Sequence, residues 1–228
     1  SAAPLPERGQ AGIAGGGIAG LCLALNLKNR GIDCTVYERV PDVKELGVGI
    51  IGCGNISSAY FSLAPLFKGI KVLACADLNR NAAELRAEEF GVVAQSIEDL
   101  LANKDIDVVV NLTIPAAHFP VSKAALEAGK HVYSEKPLVL SLEEGEELRR
   151  IAREKNLSVG CAPDTFLGGA HQLARQYIDE GKVGRITSGT CHVMSPGMEM
   201  WHPNPGFFFL KGGGPILDLG PYYVANLI

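Results

Sequence analysis

The sequence lacks the features of several large classes of protein. Its 228 residues contain no apolar run that reaches the roughly 18 residues needed to cross a bilayer. It also lacks a basic excess, since 21 lysines and arginines stand against 25 aspartates and glutamates, for a net charge of −4. Nothing in this balance favours binding to polyanions. We therefore expect no nucleic-acid partner and no membrane partner.

Cysteine pairs at metal-binding or redox spacing are absent as well. The six cysteines form no Cys-x-x-Cys motif and lie far apart: Cys22, Cys34, Cys53, Cys75, Cys161 and Cys191. We expect buried free thiols in a reducing compartment, with no disulfide framework and no metal site. The first eight residues are polar and contain two prolines, unlike a signal peptide. Together these features predict a cytoplasmic protein.

A glycine-rich turn stands at the centre of the sequence pattern. An apolar strand at residues 48–51 precedes Gly52 and Gly54, and a helix is predicted to begin at Asn55. This order is typical of pyrophosphate-binding loops, because glycine lets backbone amides approach a phosphate closely. Asp77 ends the next predicted strand, about 20 residues later, where an acid binds ribose hydroxyls. The alternative is a purely structural glycine turn.

A second glycine pattern lies nearer the N-terminus. Gly15, Gly17 and Gly20 occupy the three glycine positions of a dinucleotide fingerprint, and Glu38 follows a predicted strand at residues 34–37. The pattern resembles the opening of flavin-dependent aromatic hydroxylases, which implies a possible FAD-type site at these four residues. About 40 residues cannot enclose a flavin ring or bury much core. FAD is therefore not the cofactor we expect.

The tetrapeptide at residues 47–50 fits both glycine patterns. After the N-terminal pattern at Gly15–Gly20 it corresponds to a loop on the flavin side. Before the turn at Gly52 and Gly54 it corresponds to the first strand. We hypothesise that the chain joins two Rossmann beginnings at this point.

The pattern of strands and helices predicts an α/β protein. Apolar strands alternate with helices of ordinary length, which favours a doubly wound parallel Rossmann sheet, with an extra N-terminal βαβ unit. From residue 166 the pattern changes, and an alternating stretch at residues 187–193 predicts a strand in a partial C-terminal α+β region. We therefore predict an N-terminal fragment (1–46), a dinucleotide-binding domain (47–165) and a partial substrate domain (166–228).

A series of motifs carries a second, more specific resemblance. From residue 48 onward the chain resembles the Gfo/Idh/MocA family of NAD(P)-dependent oxidoreductases. The supporting motifs are Gly52-x-Gly54 with Ser57, Asp77, the run from Asn111 to His118, Glu135-Lys136-Pro137, residues 181–186, and Gly212-Gly213-Gly214-Pro215-Ile216-Leu217-Asp218-Leu219-Gly220. Their order along the chain makes the set more specific than either glycine loop.

The resemblance implies three catalytic residues. Lys136 is the expected catalytic lysine, beside the nicotinamide and the reacting hydroxyl, with a cis bond to Pro137. Asp218 and Tyr222 have i, i+4 spacing and share a face of a predicted helix. Asp218 would orient the substrate hydroxyl. Tyr222, where many relatives have histidine, would donate or relay a proton. The plainer alternatives are a solvated lysine, a helix-capping aspartate and a core tyrosine.

The expected cofactor is NAD, with NADP as the second choice. Asp77 would repel a 2′-phosphate, whereas Arg80 is placed to stack on adenine or to reach that phosphate. His118 is expected either to contact cofactor or substrate, or to be an ordinary surface or capping histidine. The complete expected set of cofactor-binding residues is Gly52, Gly54, Asn55, Ile56, Asp77, Arg80, Thr113, Pro115, His118, Glu135 and Lys136.

The resemblance predicts hydride transfer between a nicotinamide cofactor and a hydroxyl of a sugar or polyol-like substrate. The family's second domain normally continues past the helix at Gly220, so we expect this region to be incomplete. The alternatives are a nucleotide-binding Rossmann protein without turnover and an FAD-binding monooxygenase fragment. We also expect a homo-oligomer, because an exposed sheet edge in the partial domain invites pairing.

Overall fold

A computed structural model describes residues 11–14, 34–37, 45–163, 165–200, 202, 205–210 and 212–227. The chain divides into two compact units. One comprises Ser1–Lys44 with Asp164–Gly189, and the other comprises Glu45–Pro163 with Thr190–Ile228. None of the helices in these described ranges is long and apolar enough to span a membrane.

The larger unit is built on a sheet of six parallel strands. Two other strands, β1 (Ala11–Ala14) and β2 (Cys34–Tyr37), pair in parallel in the smaller unit. The six strands of the main sheet are β3 (Leu46–Ile51), β4 (Ile70–Ala76), β5 (Val93–Ala94), β6 (Val108–Asn111), β7 (His131–Ser134) and β8 (Val159–Cys161). Their order is β5-β4-β3-β6-β7-β8. This is a doubly wound Rossmann sheet, and its strand order reverses between β3 and β6.

Helices connect the strands and continue past the sheet. They are α1 (Ser57–Leu63), α2 (Arg80–Phe90), α3 (Ile97–Ala102), α4 (Pro115–Glu127), α5 (Leu142–Lys155), α6 (Gly169–Asp179) and α7 (Pro215–Leu227). Three 3₁₀ segments, Ala64–Leu66, Thr165–Leu167 and Pro205–Phe209, lie between them. From β3 to β8 the described residues therefore alternate between strands and helical segments, and the described elements after β8 are all helical.

Both faces of the main sheet carry a hydrophobic core. One core joins the strands to α4 and α5 through Leu126, Leu148 and Ile151. The other joins them to α1 and α2 through Phe61 and Ala83. Because β3 is buried from both sides, its sequence is almost continuously apolar, as expected for a central parallel strand. The shared tetrapeptide at residues 47–50 lies inside this strand.

The sequence predicts serine N-caps at Ser96 and Ser141, and the structure confirms both. The Ser96 hydroxyl accepts a hydrogen bond from the Asp99 amide at 3.0 Å and caps α3. The Ser141 hydroxyl accepts one from the Glu144 amide at 3.2 Å and caps α5. Each cap satisfies an amide that the first helical turn leaves unpaired.

Two helices differ in their bounds from what the sequence predicts. The amphipathic pattern at residues 59–68 predicts a helix, but α1 ends at Leu63, because Pro65 lies in the 3₁₀ turn that follows. The pattern at residues 119–128 predicts another helix, but α4 begins at Pro115, since proline is favoured at the first position of a helix.

The strand predicted at residues 187–193 was wrong. These residues form neither strand nor helix. An alternating sequence becomes a strand only beside a partner, and no described segment pairs with this one.

The prediction of buried free cysteines holds only in part. Among the described residues, Cys53 and Cys75 are buried and free, but Cys191 is free and exposed. Cys191 is exposed because it lies in the stretch that forms no strand.

Candidate active site at the carboxyl edge of the sheet

The turn after β3 is shaped by two glycines with different surroundings. Gly52 has φ +104°, and a Cβ there would lie 2.6 Å from the backbone of Leu112. Only glycine fits this close approach. Gly54 is exposed, and a Cβ built on it meets nothing within 4 Å. Asn55 and Ile56 follow and are also exposed. The turn therefore packs on one side against β6 and is open on the other.

Asp77 lies directly beside this turn. One carboxylate oxygen accepts a hydrogen bond from the Cys53 amide at 2.7 Å, and the other accepts one from the Asn79 amide at 2.8 Å. The predicted ribose acid and the glycine turn are thus brought together. Arg80 begins α2, where its guanidinium donates to Glu84 at 2.9 Å and to the Ala94 carbonyl at 3.1 Å. These bonds hold Arg80 along the β5 side of the sheet.

An arginine that the sequence interpretation missed braces the same turn. Ser57 is fully buried, and its hydroxyl donates to the Gly54 carbonyl at 2.7 Å. The Arg86 guanidinium donates to that hydroxyl at 3.1 Å and forms an ion pair with Glu89 at 2.6 Å. The signal was present, since Arg86 lies three residues after the buried Ala83 and so on the core-facing side of α2.

Two thiols at the carboxyl ends of strands, Cys53 in the turn after β3 and Cys161 at the end of β8, have raised pKa values. A hydrogen bond with Cys75 and then burial raise the pKa of Cys53, so this thiol stays protonated. Near Glu135, burial and the carboxylate charge raise the pKa of Cys161 to about 12. Neither thiol is an activated nucleophile.

The loop after β6 is fixed by buried polar groups. Asn111 is fully buried, and its amide nitrogen donates to the His118 carbonyl and the Ser122 hydroxyl at 3.0 Å each. Its oxygen accepts a hydrogen bond of 2.6 Å from the Thr113 hydroxyl. Pro115 then starts α4, and its side chain lies near Gly212. The hydroxyl of Thr113 is therefore turned towards the protein interior.

His118 lies beneath this loop. It is 1% exposed, and its Nε2 lies 2.9 Å from the Thr113 carbonyl oxygen. Its Nδ1 lies 2.5 Å from the Pro137 carbonyl oxygen. Both ring nitrogens thus face protein oxygens, which differs from the expected contact with cofactor or substrate and from the surface histidine that was the alternative.

The Glu135-Lys136-Pro137 motif follows β7 at the same edge. The Glu135 carboxylate accepts hydrogen bonds from the Tyr60 hydroxyl at 2.7 Å and from the Lys136 amide at 3.2 Å. The peptide bond between Lys136 and Pro137 is cis, as the resemblance implied. Tyr60 lies on α1, so this contact links the helix after the glycine turn to the lysine motif. The lysine and the turn are on the same side of the sheet.

The three residues expected to be catalytic meet at this edge. Lys136 Nζ forms an ion pair with a carboxylate oxygen of Asp218 and donates to the Asp218 carbonyl at 2.9 Å. It also lies 5.3 Å from the centroid of the Tyr222 ring. The side chains of Lys136 and Asp218 are 14% and 28% exposed. Both side chains are therefore mostly sheltered from solvent.

The residues predicted for an FAD-type site, Gly15, Gly17, Gly20 and Glu38, lie outside the described part of the chain. Among the described residues, no group of three or more histidine, cysteine or acidic side chains is arranged to hold a metal ion.

Comparison with known families agrees with this geometry. Residues 46–162 match an oxidoreductase family with an NAD-binding Rossmann fold, GFO/IDH/MocA. The chain belongs to this family. Residues 171–227 match the C-terminal domain of the family, and residues 13–43 match an NAD(P)-binding Rossmann-like domain. The chain thus carries an NAD(P)-binding Rossmann domain, followed by part of the family's second domain.

Individual relatives give the same picture. The chain is 32% identical over 177 residues to 1,5-anhydro-D-fructose reductase of Ensifer adhaerens. The matched stretch covers 75% of this chain and 52% of that enzyme. An NAD-binding protein from Listeria innocua has a similar fold, with a TM-score of 0.67 at 23% identity over 81% of this chain and 54% of its own. The chain spans about half the length of these relatives.

A structure with ligands is also similar. The WlbA dehydrogenase from Bordetella pertussis, solved in complex with NADH and UDP-GlcNAcA, is 25% identical with a TM-score of 0.59. The match covers 63% of this chain and 42% of that enzyme.

Proposed function

We propose that this chain is the NAD-binding and catalytic part of an oxidoreductase that transfers hydride between nicotinamide and a hydroxyl of a sugar or polyol-like substrate. The observation that carries this proposal is the cluster of Lys136, Asp218 and Tyr222. Lys136 follows β7 at the carboxyl edge of the sheet, and open α/β sheets bind their ligands at this edge.

The glycine turn suits the cofactor. The open side of Gly54 leaves room for a pyrophosphate against the backbone. Two backbone amides orient the Asp77 carboxylate, and its remaining lone pairs can accept hydrogen bonds from ribose hydroxyls. When bound, the nicotinamide ring supplies the site that accepts or donates hydride.

The same acid favours NAD over NADP. The Asp77 carboxylate would repel a 2′-phosphate. Arg80, the cation nearest to it in sequence, is engaged with Glu84 and Ala94. We expect the dissociation constant for NADH to be about tenfold or more below that for NADPH, a typical size for one such charge contact.

Replacement of Asp77 by serine tests this preference. D77S should bring the two dissociation constants, measured by titration calorimetry, within about threefold of each other. E88Q, which removes an exposed acid of α2, is the control and should leave the ratio unchanged. An unchanged ratio in D77S would exclude Asp77 as the discriminating residue.

The chain's own residues handle the proton. Lys136 Nζ would hold the proton that the substrate oxygen gains or loses, within reach of Asp218. Asp218 would keep the ammonium and the substrate hydroxyl in position, since its carboxylate has lone pairs beyond the one facing Nζ. The Tyr222 hydroxyl can donate or relay a proton, although a phenol is a poor base at neutral pH.

Substitution of Lys136 by methionine tests the proposal. Sugar- or polyol-dependent formation of NADH, followed by absorbance across a panel of substrates, should fall by about 10²–10⁴-fold in K136M. The dissociation constant for NADH should change little, because the glycine turn is intact. K123M is the control, since Lys123 pairs with Glu147 between two helices. Retained turnover in K136M would remove the assignment.

A second function is a nucleotide-binding protein without turnover. It is favoured by the exposure of apolar side chains in the second-domain segment, among them Val193, Met194 and Ile216. Stabilisation by NAD without any sugar-dependent formation of NADH would select this function over the first.

A further inference from the structure

His118 joins two loops that come from different strands. Its Nε2 faces the carbonyl of Thr113, in the loop after β6. Its Nδ1 faces the carbonyl of Pro137, in the motif after β7 that carries Lys136. The distances are 2.9 Å and 2.5 Å, and the ring is 1% exposed. Bulk water therefore cannot replace either contact.

The chemistry of the two partners decides how the ring contacts them. A backbone carbonyl oxygen only accepts hydrogen bonds, whereas a neutral imidazole has one N–H and one lone pair. A ring N–H is therefore the group that can bond to such an oxygen. Because the two ring nitrogens face carbonyls of different loops, the imidazole spans the gap between these loops.

We propose that His118 is a positioning residue whose buried ring ties the cofactor loop at Thr113 to the Lys136–Pro137 turn. This inference rests on the proposed function, since it assigns the two hydrogen bonds to two halves of one active site. The bond to Thr113 fixes a loop beside the glycine turn, which Leu112 contacts directly. The bond to Pro137 fixes the backbone that carries the catalytic lysine.

Two substitutions separate the hydrogen bonds. The amide nitrogen of asparagine lies about where Nδ1 lies, and that of glutamine about where Nε2 lies. H118N therefore keeps the donor to Pro137 and loses the donor to Thr113, and H118Q does the reverse. Each variant is the control for the other, because both lose the ring and keep one amide donor.

The variants should separate binding from turnover. Loss of one hydrogen bond of this kind corresponds to about a tenfold effect. H118N should raise the dissociation constant for NADH about tenfold with kcat nearly unchanged, and H118Q should lower kcat about tenfold with nearly unchanged binding. A purely structural ring would move both quantities alike in both variants, and that result would overturn the proposal.

The two contacts are also tested without cofactor or substrate. Backbone hydrogen exchange in the full-length chain should quicken about tenfold around Thr113 in H118N and around Lys136 in H118Q, with the other loop near its wild-type rate in each variant. Equal acceleration of both loops in both variants would overturn the proposal even if the variants lose activity. Failure of the wild-type chain to bind NADH would instead count against the proposed function and leave the exchange result in force.

Discussion

The sheet region and the region after it are built from sequences of similar apolar character but differ in packing. In residues 45–163, side chains such as Leu126 and Leu148 are fully buried between sheet and helices. In the described part of 165–227, only Met198 and Gly212 are buried. An amphipathic segment therefore becomes part of a core only where it packs against a partner element. Matched substitutions in the two regions should accordingly have different effects on the free energy of unfolding.

The largest difference is expected for glycine. Gly52→Ala forces a Cβ to within 2.6 Å of the Leu112 backbone at φ +104°. It should lower the free energy of unfolding by about 3 kcal/mol or more. Gly184→Ala has φ +71° but no atom within 4 Å, so it should lower that free energy by only about 1 kcal/mol. Urea unfolding measures both. Equal losses would mean that the turn is not packed against β6.

A smaller difference is expected for lysine. Lys130 is 8% exposed and donates to the carbonyls of Asn103 and Ile106 at 2.6 and 2.8 Å. K130M leaves two acceptors unpaired and should lower the free energy of unfolding by about 1–3 kcal/mol. K182M removes an exposed lysine beside Glu180 and should cost less than about 0.5 kcal/mol.

The same lysine gives a pH dependence. Burial lowers the pKa of Lys130 below its ordinary value of 10.5. Between the lowered pKa and 10.5 the unfolded chain binds more protons at this site, so the contribution of Lys130 to stability rises with pH in that window. K130M should abolish this rise, which urea unfolding at a series of pH values measures. A rise that persists in K130M would assign it to other groups.

The sequence predicted the local features of the fold best. The caps at Ser96 and Ser141 and the alternation of strand and helix depend only on neighbouring residues. The strand at residues 187–193 could not be judged in this way, because strand formation depends on a distant partner. A local sequence pattern predicts an element correctly where a second element of the chain packs against it.

The candidate site shows the same distinction between residues that a local motif reveals and contacts that depend on distant residues. Lys136, Asp218 and Tyr222 were found by resemblance, and the structure brings them together. The bond from Tyr60 to Glu135 joins residues 75 positions apart and leaves no mark on spacing. The role of His118 was also hidden, because two carbonyl partners have no side-chain signature.

The open side of the turn after β3 is the proposed NAD site, and titration of NADH into the purified chain and into Gly54→Val measures it. No atom lies within 4 Å of a Cβ at Gly54, so the unfolding midpoint of the variant should be unchanged. Its NADH affinity should fall by about 100-fold or more, since the side chain would occupy the phosphate position. Wild-type affinity in Gly54→Val, or no saturable binding by the wild-type chain, would mean that NAD does not bind at this turn.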